Sequence, residues 1–159
     1  GERTPHPDPY ARGSFIGMSL RHQKKHHTRA VLEGVSYGLN DSLSMMKELG
    51  INPNEIELSG GGSRSELWKQ MLADIFATPC AMVNALEGAA YGAAILAAVG
   101  VGGFSTVQEA CKTFIQKTET INPGAEQRIY EQYYPIYKSL YPSLKKQFSE
   151  IAETISKNA

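Results

Sequence analysis

The stretch Glu55-Ile-Glu-Leu-Ser-Gly60-Gly61-Gly62-Ser63, with an amphipathic run up to Phe76, decides the fold of this chain. It predicts a short strand, a glycine turn and a helix. Because three consecutive glycines carry no Cβ atoms, a ligand can lie directly against the backbone of the turn. The first N–H groups of the helix favour anionic or polar ligand groups. The stretch therefore predicts a nucleotide or phosphate site, with a plain strand-to-helix connection as the alternative.

The helix after the turn has its own sequence signals. Ser63 and Glu66 have the spacing of a capping box, which predicts Ser63 as the N-cap. Apolar residues recur on one helix face, and Pro79 follows the helix end. The residues of that face are Leu67, Trp68, Met71, Leu72, Ile75 and Phe76.

Composition excludes several classes of function. The chain has 159 residues and a net charge of zero, with 16 Lys and Arg against 16 Asp and Glu. We therefore expect no nucleic-acid partner and no membrane partner. Cys80 and Cys111 are far apart in sequence, which favours a reducing compartment, so we expect a cytoplasmic protein. His22 and His26 have helical spacing, but no Cys or acidic residue stands nearby in sequence, so we expect no metal site.

The order of predicted elements indicates the fold class. A strand over residues 13–20 precedes a long helix over residues 28–49. Strands over residues 55–59 and 80–84 then alternate with helices, the second of which, residues 87–99, consists almost entirely of small residues. We expect that helix to be buried. Such alternation predicts an α/β layered domain with mostly parallel strands.

Two long helices carry most of the remaining apolar residues. Those of the helix over residues 28–49 predict a buried stripe, and Gly50 is expected to end that helix. The tail over residues 125–156 is predicted to be helical, with Pro135 and Pro142 kinking or restarting it. Its tyrosines are predicted to pack rather than to bind bases or sugars. The stripe consists of Leu32, Val35, Leu39, Leu43, Met46 and Leu49.

Two well-known glycine loops do not match the turn. The Walker loop ends in Gly-Lys-Ser/Thr, whereas Ser63 and Arg64 follow the last glycine here. The dinucleotide fingerprint has a third glycine where Ser65 stands, and an acidic residue near the end of the next strand, where Asn84 stands. It fits only in part.

A third pattern is a resemblance to a known family. Residues 60–74 resemble the nucleotide loop of the FGGY carbohydrate kinases, and the xylulokinases are the members that the chain resembles most. His27 departs from the family signature, which usually has an aliphatic residue there. The other motifs that resemble the family are the loop over residues 1–13, the signature Gly13, Phe15, Gly17, Met18, His26 and residues 30–33, and the glycine-alanine helix over residues 87–94.

The resemblance implies a fold and a domain organisation. FGGY kinases have two RNase H-like domains, as actin and hexokinase do, which close around a cleft. We expect residues 1–159 to form a single domain, most of the C-terminal nucleotide-binding domain with a helical tail. The N-terminal sugar-binding domain would be absent. The chain begins with Gly1 rather than Met and only three strands are predicted, so we expect a piece of a larger protein.

The resemblance also implies site residues. Gly60 and Gly61 would pass close to the nucleotide, with Gly62 and Arg64 flanking the site. Ser65 would stand where relatives place a polar side chain, often Asn, that faces the adenine or ribose. Because Ser is shorter than Asn, a bridging water would suit that contact.

The reaction implied for the larger protein is transfer of the ATP γ-phosphoryl group to D-xylulose, giving D-xylulose 5-phosphate, with Mg²⁺ neutralising phosphate charge. The family's catalytic base is an aspartate that precedes the region covered, and Asp8, Asp41 and Asp74 match no catalytic motif. No catalytic residue is therefore assigned, and the isolated chain is expected to be inactive. Its partners would be ATP or ADP, a sugar and the N-terminal domain, and the family allows a homodimer.

Two alternatives remain open. The first is another FGGY kinase, acting on glycerol, ribulose or gluconate. Sugar specificity lies mainly in the N-terminal domain, so only the resemblance of residues 2–5 favours xylulose. The second is an interaction module that keeps the kinase fold but binds a partner.

Overall fold

The computed structural model describes residues 1–85 and 88–158. Two compact units are formed, one by residues 1–52 together with the chain from Glu126 onward, the other by Pro53–Ala125. None of the described helices has the length and apolar character needed to cross a membrane. The elements are α1 (Lys24–Glu48), β1 (Ile56–Leu58), a 3₁₀ turn (Gly61–Arg64), α2 (Glu66–Phe76), β2 (Cys80–Val83), α3 (Gly88–Gly100), α4 (Val107–Phe114), β3 (Lys117–Ile121) and α5 (Gln127–Lys157).

The unit Pro53–Ala125 is built on a three-stranded sheet of order β1-β2-β3. β1 and β2 are parallel, with Ile56 opposite Cys80. β3 is antiparallel to β2, with Ile121 on the other side of Cys80. α2 connects the two parallel strands, as such a crossover requires. The parallel strands predicted over residues 55–59 and 80–84 are confirmed.

The centre of this unit is β2 together with one face of α2. Cys80 and Ala81 have no exposed surface, and Met71 of α2 is 2% exposed. Burial raises the pKa of the Cys80 thiol to about 11, so the thiol stays neutral and unreactive. Four of the six predicted apolar positions of α2 are buried, whereas Leu67 is exposed.

A buried lysine connects α2 to β3. Lys69 is 5% exposed, and its Nζ lies 2.5 Å from Glu119 of β3 and 2.8 Å from Glu66. The hydrogen bond to Glu119 contributes most, and that to Glu66 next, to raising the pKa of Lys69, so the side chain stays charged. An ammonium buried without such partners would be costly, so the pair fixes β3 against α2.

In the other unit, tyrosine side chains hold α1 against α5. The Tyr37 ring of α1 is 7% exposed, and its centroid lies 5.1–6.1 Å from those of Tyr130, Tyr134 and Tyr137 of α5. The Tyr134 hydroxyl donates to Asp41 Oδ1 at 2.6 Å. Burial, assisted by this hydrogen bond, raises the pKa of Tyr134 to about 12. The predicted packing of the tail tyrosines is confirmed for these three, whereas Tyr133 is 58% exposed.

A charged cluster at the start of α5 adds to this contact. The Arg29 guanidinium of α1 lies 2.9 Å from Glu33 and 2.6 Å from Glu126. It also donates to the Tyr130 hydroxyl at 2.8 Å. The hydrogen bond to Glu33, followed by those to Tyr130 and Glu126, raises the pKa of Arg29, so the guanidinium stays protonated. Hydrogen bonds between charged groups are the stronger ones, and they fix the register of the two helices.

The predicted strand over residues 13–20 is wrong. The structure has no strand there, and the Leu20 side chain is fully exposed. A strand forms only where a neighbouring strand pairs with its N–H and C=O groups, and no described strand lies beside this segment. Local composition indicates extended backbone, but it does not indicate a partner.

Helix ends agree with prediction in one case and differ in two. Gly50 ends α1 as expected, with φ +85° and the next amide, Ile51 N–H, donating to Met46 O at 3.0 Å. The N-terminus of α1 lies four residues earlier than expected, because Gln23 and His26 cap it reciprocally. α5 continues through Pro135 and Pro142 rather than restarting.

The predicted burial of two apolar helix faces is wrong for most of their residues. On α1 the buried face is mostly polar, with Ser36 and Asn40 on it, and Leu43 is the one residue of the predicted stripe that is buried there. Val35 and Leu39 of the stripe are 46% and 49% exposed. The tyrosines of α5 select the polar face because they offer hydroxyl groups. On α3 only Ile95 is buried among the described residues. The first residue of the predicted helix over residues 87–99 lies outside the described residues.

We expect Tyr134→Phe to lower the free energy of unfolding by about 1–3 kcal/mol, because it leaves the buried Asp41 carboxylate without this donor. Urea denaturation followed by circular dichroism measures the change. Tyr133→Phe is the matched control, since Tyr133 is 58% exposed on the same helix. Equal stability of the two variants would contradict the role of the Tyr134–Asp41 hydrogen bond.

Candidate functional site

The glycine turn begins with a backbone conformation that requires glycine. Gly60 has φ +87° and ψ −176°, a region that residues with a Cβ atom essentially never occupy. The chain then forms a 3₁₀ turn over Gly61–Arg64 before α2 begins at Glu66. The predicted strand, glycine turn and helix are confirmed, but a tight turn separates the glycines from the helix.

The two serines of the turn have different structural roles. Ser63 is 6% exposed, and its Oγ donates to Gly60 O at 2.6 Å, which closes the turn. Ser65 is the N-cap, since its Oγ accepts from Trp68 N–H at 3.3 Å. The prediction of Ser63 as N-cap is wrong because the flexible glycines wind into a 3₁₀ turn and move the helix start by two residues.

The second and third glycines have different surroundings. A Cβ atom on Gly62 would lie 2.5 Å from Trp68 Cζ3, so Gly62 is needed for packing against the indole ring. A Cβ atom on Gly61 would meet nothing within 4 Å. Gly61 therefore leaves its backbone open to a ligand, and Arg64 is exposed at the end of the same turn.

The turn lies at the carboxyl ends of the parallel strands. Ser59, the residue after β1, lies beside the first residue of α3: a Cβ atom on Gly88 would be 3.7 Å from Ser59 Oγ. The two glycine-containing segments that the sequence singled out therefore meet at one edge of the sheet. In open α/β sheets, ligands bind outside the carboxyl ends of the strands.

A cavity that sequence reasoning missed opens at the same edge. Its volume is about 320 Å³, and its lining is mostly apolar, with Ser59, Tyr91 and the half-buried Cys111 among the residues and Glu57 as its carboxylate. Tyr91 is fixed by a hydrogen bond to Phe114 O at 2.9 Å. Such a lining suits an apolar group, and Glu57 would repel a phosphate. The sequence signal that could have indicated this cavity is Tyr91, the one aromatic residue in the described sequence of α3, which is otherwise rich in alanine and glycine.

Asn84, the residue where a dinucleotide fold would have an acid, has a structural role. Its Nδ2 donates to Phe114 O at 2.9 Å, and its Oδ1 accepts from Gln116 N–H at 3.0 Å. These bonds hold the connection between α4 and β3 to the end of β2. Both polar ends of the exposed Asn84 side chain are therefore engaged within the fold.

Each aspartate of the chain accepts hydrogen bonds from the fold. Asp8 accepts from the Tyr141 hydroxyl at 2.9 Å, and the backbone N–H of Tyr10 is the main cause that lowers its pKa. Asp74 accepts from Gly124 N–H at 2.5 Å. Together with Asp41, these carboxylates have structural roles.

The histidines show no ligand geometry. Nδ1 of His22 accepts from Ser19 N–H, and Nδ1 of His26 accepts from Gln23 N–H, both at 2.8 Å. Over residues 1–85 and 88–158, no group of three or more His, Cys, Asp or Glu side chains is arranged to hold a metal ion. The carboxylate donor set that Mg²⁺ prefers is not assembled in this part of the chain.

Comparison with known proteins identifies the family. Residues 1–101 match the FGGY family of carbohydrate kinases, C-terminal domain. The chain is 43% identical over 152 residues to a xylulose kinase from Staphylococcus epidermidis, covering 95% of this chain and 31% of that protein. It is 34% identical over 157 residues to a gluconokinase from Bacillus subtilis, covering 96% and 30%.

A solved structure agrees. Ligand-bound xylulose kinase from Lactobacillus acidophilus superimposes with a TM-score of 0.85 at 29% identity, over 95% of this chain and 31% of that one. The chain therefore belongs to the FGGY family of carbohydrate kinases and has the actin- and hexokinase-like ATPase fold of their C-terminal domain. It spans about a third of the length of these relatives.

We expect Gly60→Ala to lower the free energy of unfolding by about 1–3 kcal/mol, because alanine must adopt the strained conformation of Gly60. Gly61→Ala is the matched control and should change it by less than about 0.5 kcal/mol, because its Cβ position is open. Chemical denaturation measures both. A stable Gly60→Ala protein would contradict the described turn.

Proposed function

We propose that this chain is the nucleotide-binding part of a cytoplasmic sugar kinase that transfers the ATP γ-phosphoryl group to D-xylulose. The product would be D-xylulose 5-phosphate. The observation that carries the proposal is the open backbone at Gly61, at the carboxyl end of β1 in a domain of the FGGY family. The relatives named xylulose kinase support the choice of sugar.

The turn suits a nucleotide chemically. The backbone of Gly60 and Gly61 would lie against the base and sugar, since no side chain intervenes. The Ser65 Oγ accepts the Trp68 N–H, but its hydroxyl proton remains able to donate to a ligand or to a bridging water. Arg64 would attract the negative charge of the phosphates. Gly62 would act indirectly by holding Trp68 beneath the turn.

Chemistry at the sugar would require groups beyond this chain. The aspartates of the chain all have structural partners, so we assign no general base here. Mg²⁺ would accompany ATP and supply positive charge to the phosphates. The described residues do not assemble a carboxylate set for it, so we assign it no ligand in this chain. The N-terminal domain of the same protein would supply the base and the sugar pocket.

Gluconate is the second candidate sugar. A gluconokinase is 34% identical to the chain, and gluconate kinase from Lactobacillus acidophilus superimposes with a TM-score of 0.84. The two proposals share the nucleotide site and differ only in the acceptor. Kinetics of a full-length kinase that contains this chain, with xylulose and gluconate compared at equal concentrations, distinguish them.

Trp68 makes the nucleotide site directly measurable. It is the single tryptophan of the chain and lies against Gly62, so we expect its fluorescence to change as ATP is titrated. Gly61→Leu should weaken ATP binding at least about tenfold, which is ~1.4 kcal/mol, because the side chain occupies the ligand surface.

Gly100→Leu is the matched control, since Gly100 is equally open and lies at the other end of α3. It should bind ATP within about twofold of the parent chain. Equal ATP affinity of the two leucine variants would refute a nucleotide role for the turn.

The purified 159-residue chain is expected to form no ADP from ATP in the presence of D-xylulose, because it carries no assignable base. A coupled assay for ADP measures this, with a full-length xylulose kinase as the positive control. Xylulose-dependent ADP formation by the isolated chain would overturn the assignment of the base to another region.

A further inference from the structure

Lys69 lies one helical turn after Ser65, a residue of the candidate nucleotide site. Its backbone N–H donates to Ser65 O at 2.9 Å, which closes the first turn of α2. Its Nζ lies 2.8 Å from Glu66, the first residue of α2, and 2.5 Å from Glu119 of β3. One side chain therefore joins the start of α2 to a strand residue 50 positions further along the chain.

The apolar face of α2 does not by itself fix where the start of the helix lies. Met71, Ile75 and Phe76 bury that face. Apolar packing is non-directional, so it permits small rotations and shifts of a helix. A hydrogen-bonded ion pair depends on both distance and direction. The bond between Lys69 and Glu119 therefore removes a freedom that the apolar contacts leave.

The segment that follows β3 holds α2 at two further points. Gln70 Nε2 donates to Asn122 O at 3.0 Å, and the backbone N–H of Gly124 donates to Asp74 Oδ1 at 2.5 Å. Both contacts lie further along α2 than Lys69. Of these three contacts, the bond between Lys69 and Glu119 is the one nearest in sequence to the glycine turn.

We propose that Glu119 is a positioning residue for the nucleotide site and that it acts through Lys69 on Ser65. This inference rests on the proposed nucleotide role of the turn. Glu119 holds the Lys69 ammonium, and with it the first turn of α2, so the Ser65 hydroxyl stays where it can donate to the ligand. Hydrogen bonds weaken steeply as their geometry worsens, so a small shift of that turn weakens the contact.

A neighbouring ion pair on the same strand shows what distinguishes this one. The Lys117 and Glu55 side chains lie 2.6 Å apart but are 51% and 30% exposed, and pairs of that kind contribute little because water competes for both charges. The Lys69 side chain is only 6% exposed. A buried ammonium cannot exchange its partners for water, so it keeps their geometry.

The test is an ATP titration of the 159-residue chain, followed by the fluorescence of its single tryptophan. Glu119→Gln removes the charge and keeps the size of the side chain, and we expect it to raise the ATP dissociation constant about three- to tenfold. Glu55→Gln removes the partner of Lys117 in the same strand and is the matched control. It should bind ATP within about twofold of the parent chain. Equal ATP affinity of the two variants would overturn the proposal.

A double-mutant cycle tests whether Glu119 acts through Ser65. Ser65→Gly removes the hydroxyl, and glycine retains most of the stability of a serine N-cap. In a chain that already carries Ser65→Gly, we expect Glu119→Gln to change the ATP dissociation constant by less than about twofold. An undiminished effect in that chain would mean that Glu119 acts on the fold in general, which contradicts the proposal.

A second substitution separates positioning from the cost of a poorly paired charge. Glu119→Gln leaves the buried ammonium beside Glu66, whose side chain is 81% exposed. Lys69→Met removes the ammonium instead and fills its space with an unbranched side chain. We expect Lys69→Met to weaken ATP binding to a similar extent while circular dichroism stays unchanged. Normal ATP affinity of a folded Lys69→Met chain would refute positioning by this ion pair.

Gly61→Leu distinguishes failure of this inference from failure of the proposed function. If Gly61→Leu weakens ATP binding and Glu119→Gln does not, the turn binds the nucleotide but Glu119 does not position it. If neither substitution changes the ATP dissociation constant, the turn is not the nucleotide site and both proposals are wrong. Weaker binding in both variants, with the expected result of the cycle, supports both.

Discussion

The backbone at Gly60 is the constraint on which the site depends. Its φ of +87° and ψ of −176° turn the chain away from β1 at a point where a Cβ atom is not tolerated. Three contacts follow this change of direction. Ser63 closes the turn, Gly62 packs against the Trp68 ring, and Ser65 caps α2. The effect is to leave Gly61 with open space at the carboxyl edge of the sheet. The sequence thus uses three adjacent glycines for three different physical purposes.

Each of the two units is stabilised internally by a different kind of interaction. The unit Pro53–Ala125 has an apolar centre at β2, with one buried ion pair at Lys69. The other unit depends on tyrosine rings, a carboxylate–hydroxyl hydrogen bond at Asp41 and a guanidinium cluster at Arg29. Polar contacts of this kind fix geometry well but contribute modest net free energy.

Sequence patterns predicted what depends on local geometry. The glycine turn, the two parallel strands and the Gly50 cap each have a signature within a few residues, and the resemblance to FGGY kinases agrees with the family to which the chain belongs. Non-local choices were not predictable. The segment over residues 13–20 could form a strand only beside a neighbouring strand, which local composition does not reveal. β3 was not predicted, although Thr118 and Thr120 alternate in it. The amphipathic pattern of α1 indicated which face is apolar, but not which face is buried. At the turn, either Ser63 or Ser65 could have been the cap, and only the 3₁₀ winding decided between them.

The most direct test of the nucleotide role is an amide NMR titration of the isotope-labelled chain with ADP. Each backbone N–H reports separately, so the site is located without any substitution. We expect the largest chemical-shift changes at Gly60, Gly61 and Ser65, with smaller ones at the Trp68 indole. Changes confined to the residues that line the apolar cavity, such as Tyr91 and Cys111, or no changes at millimolar ADP, would contradict that role.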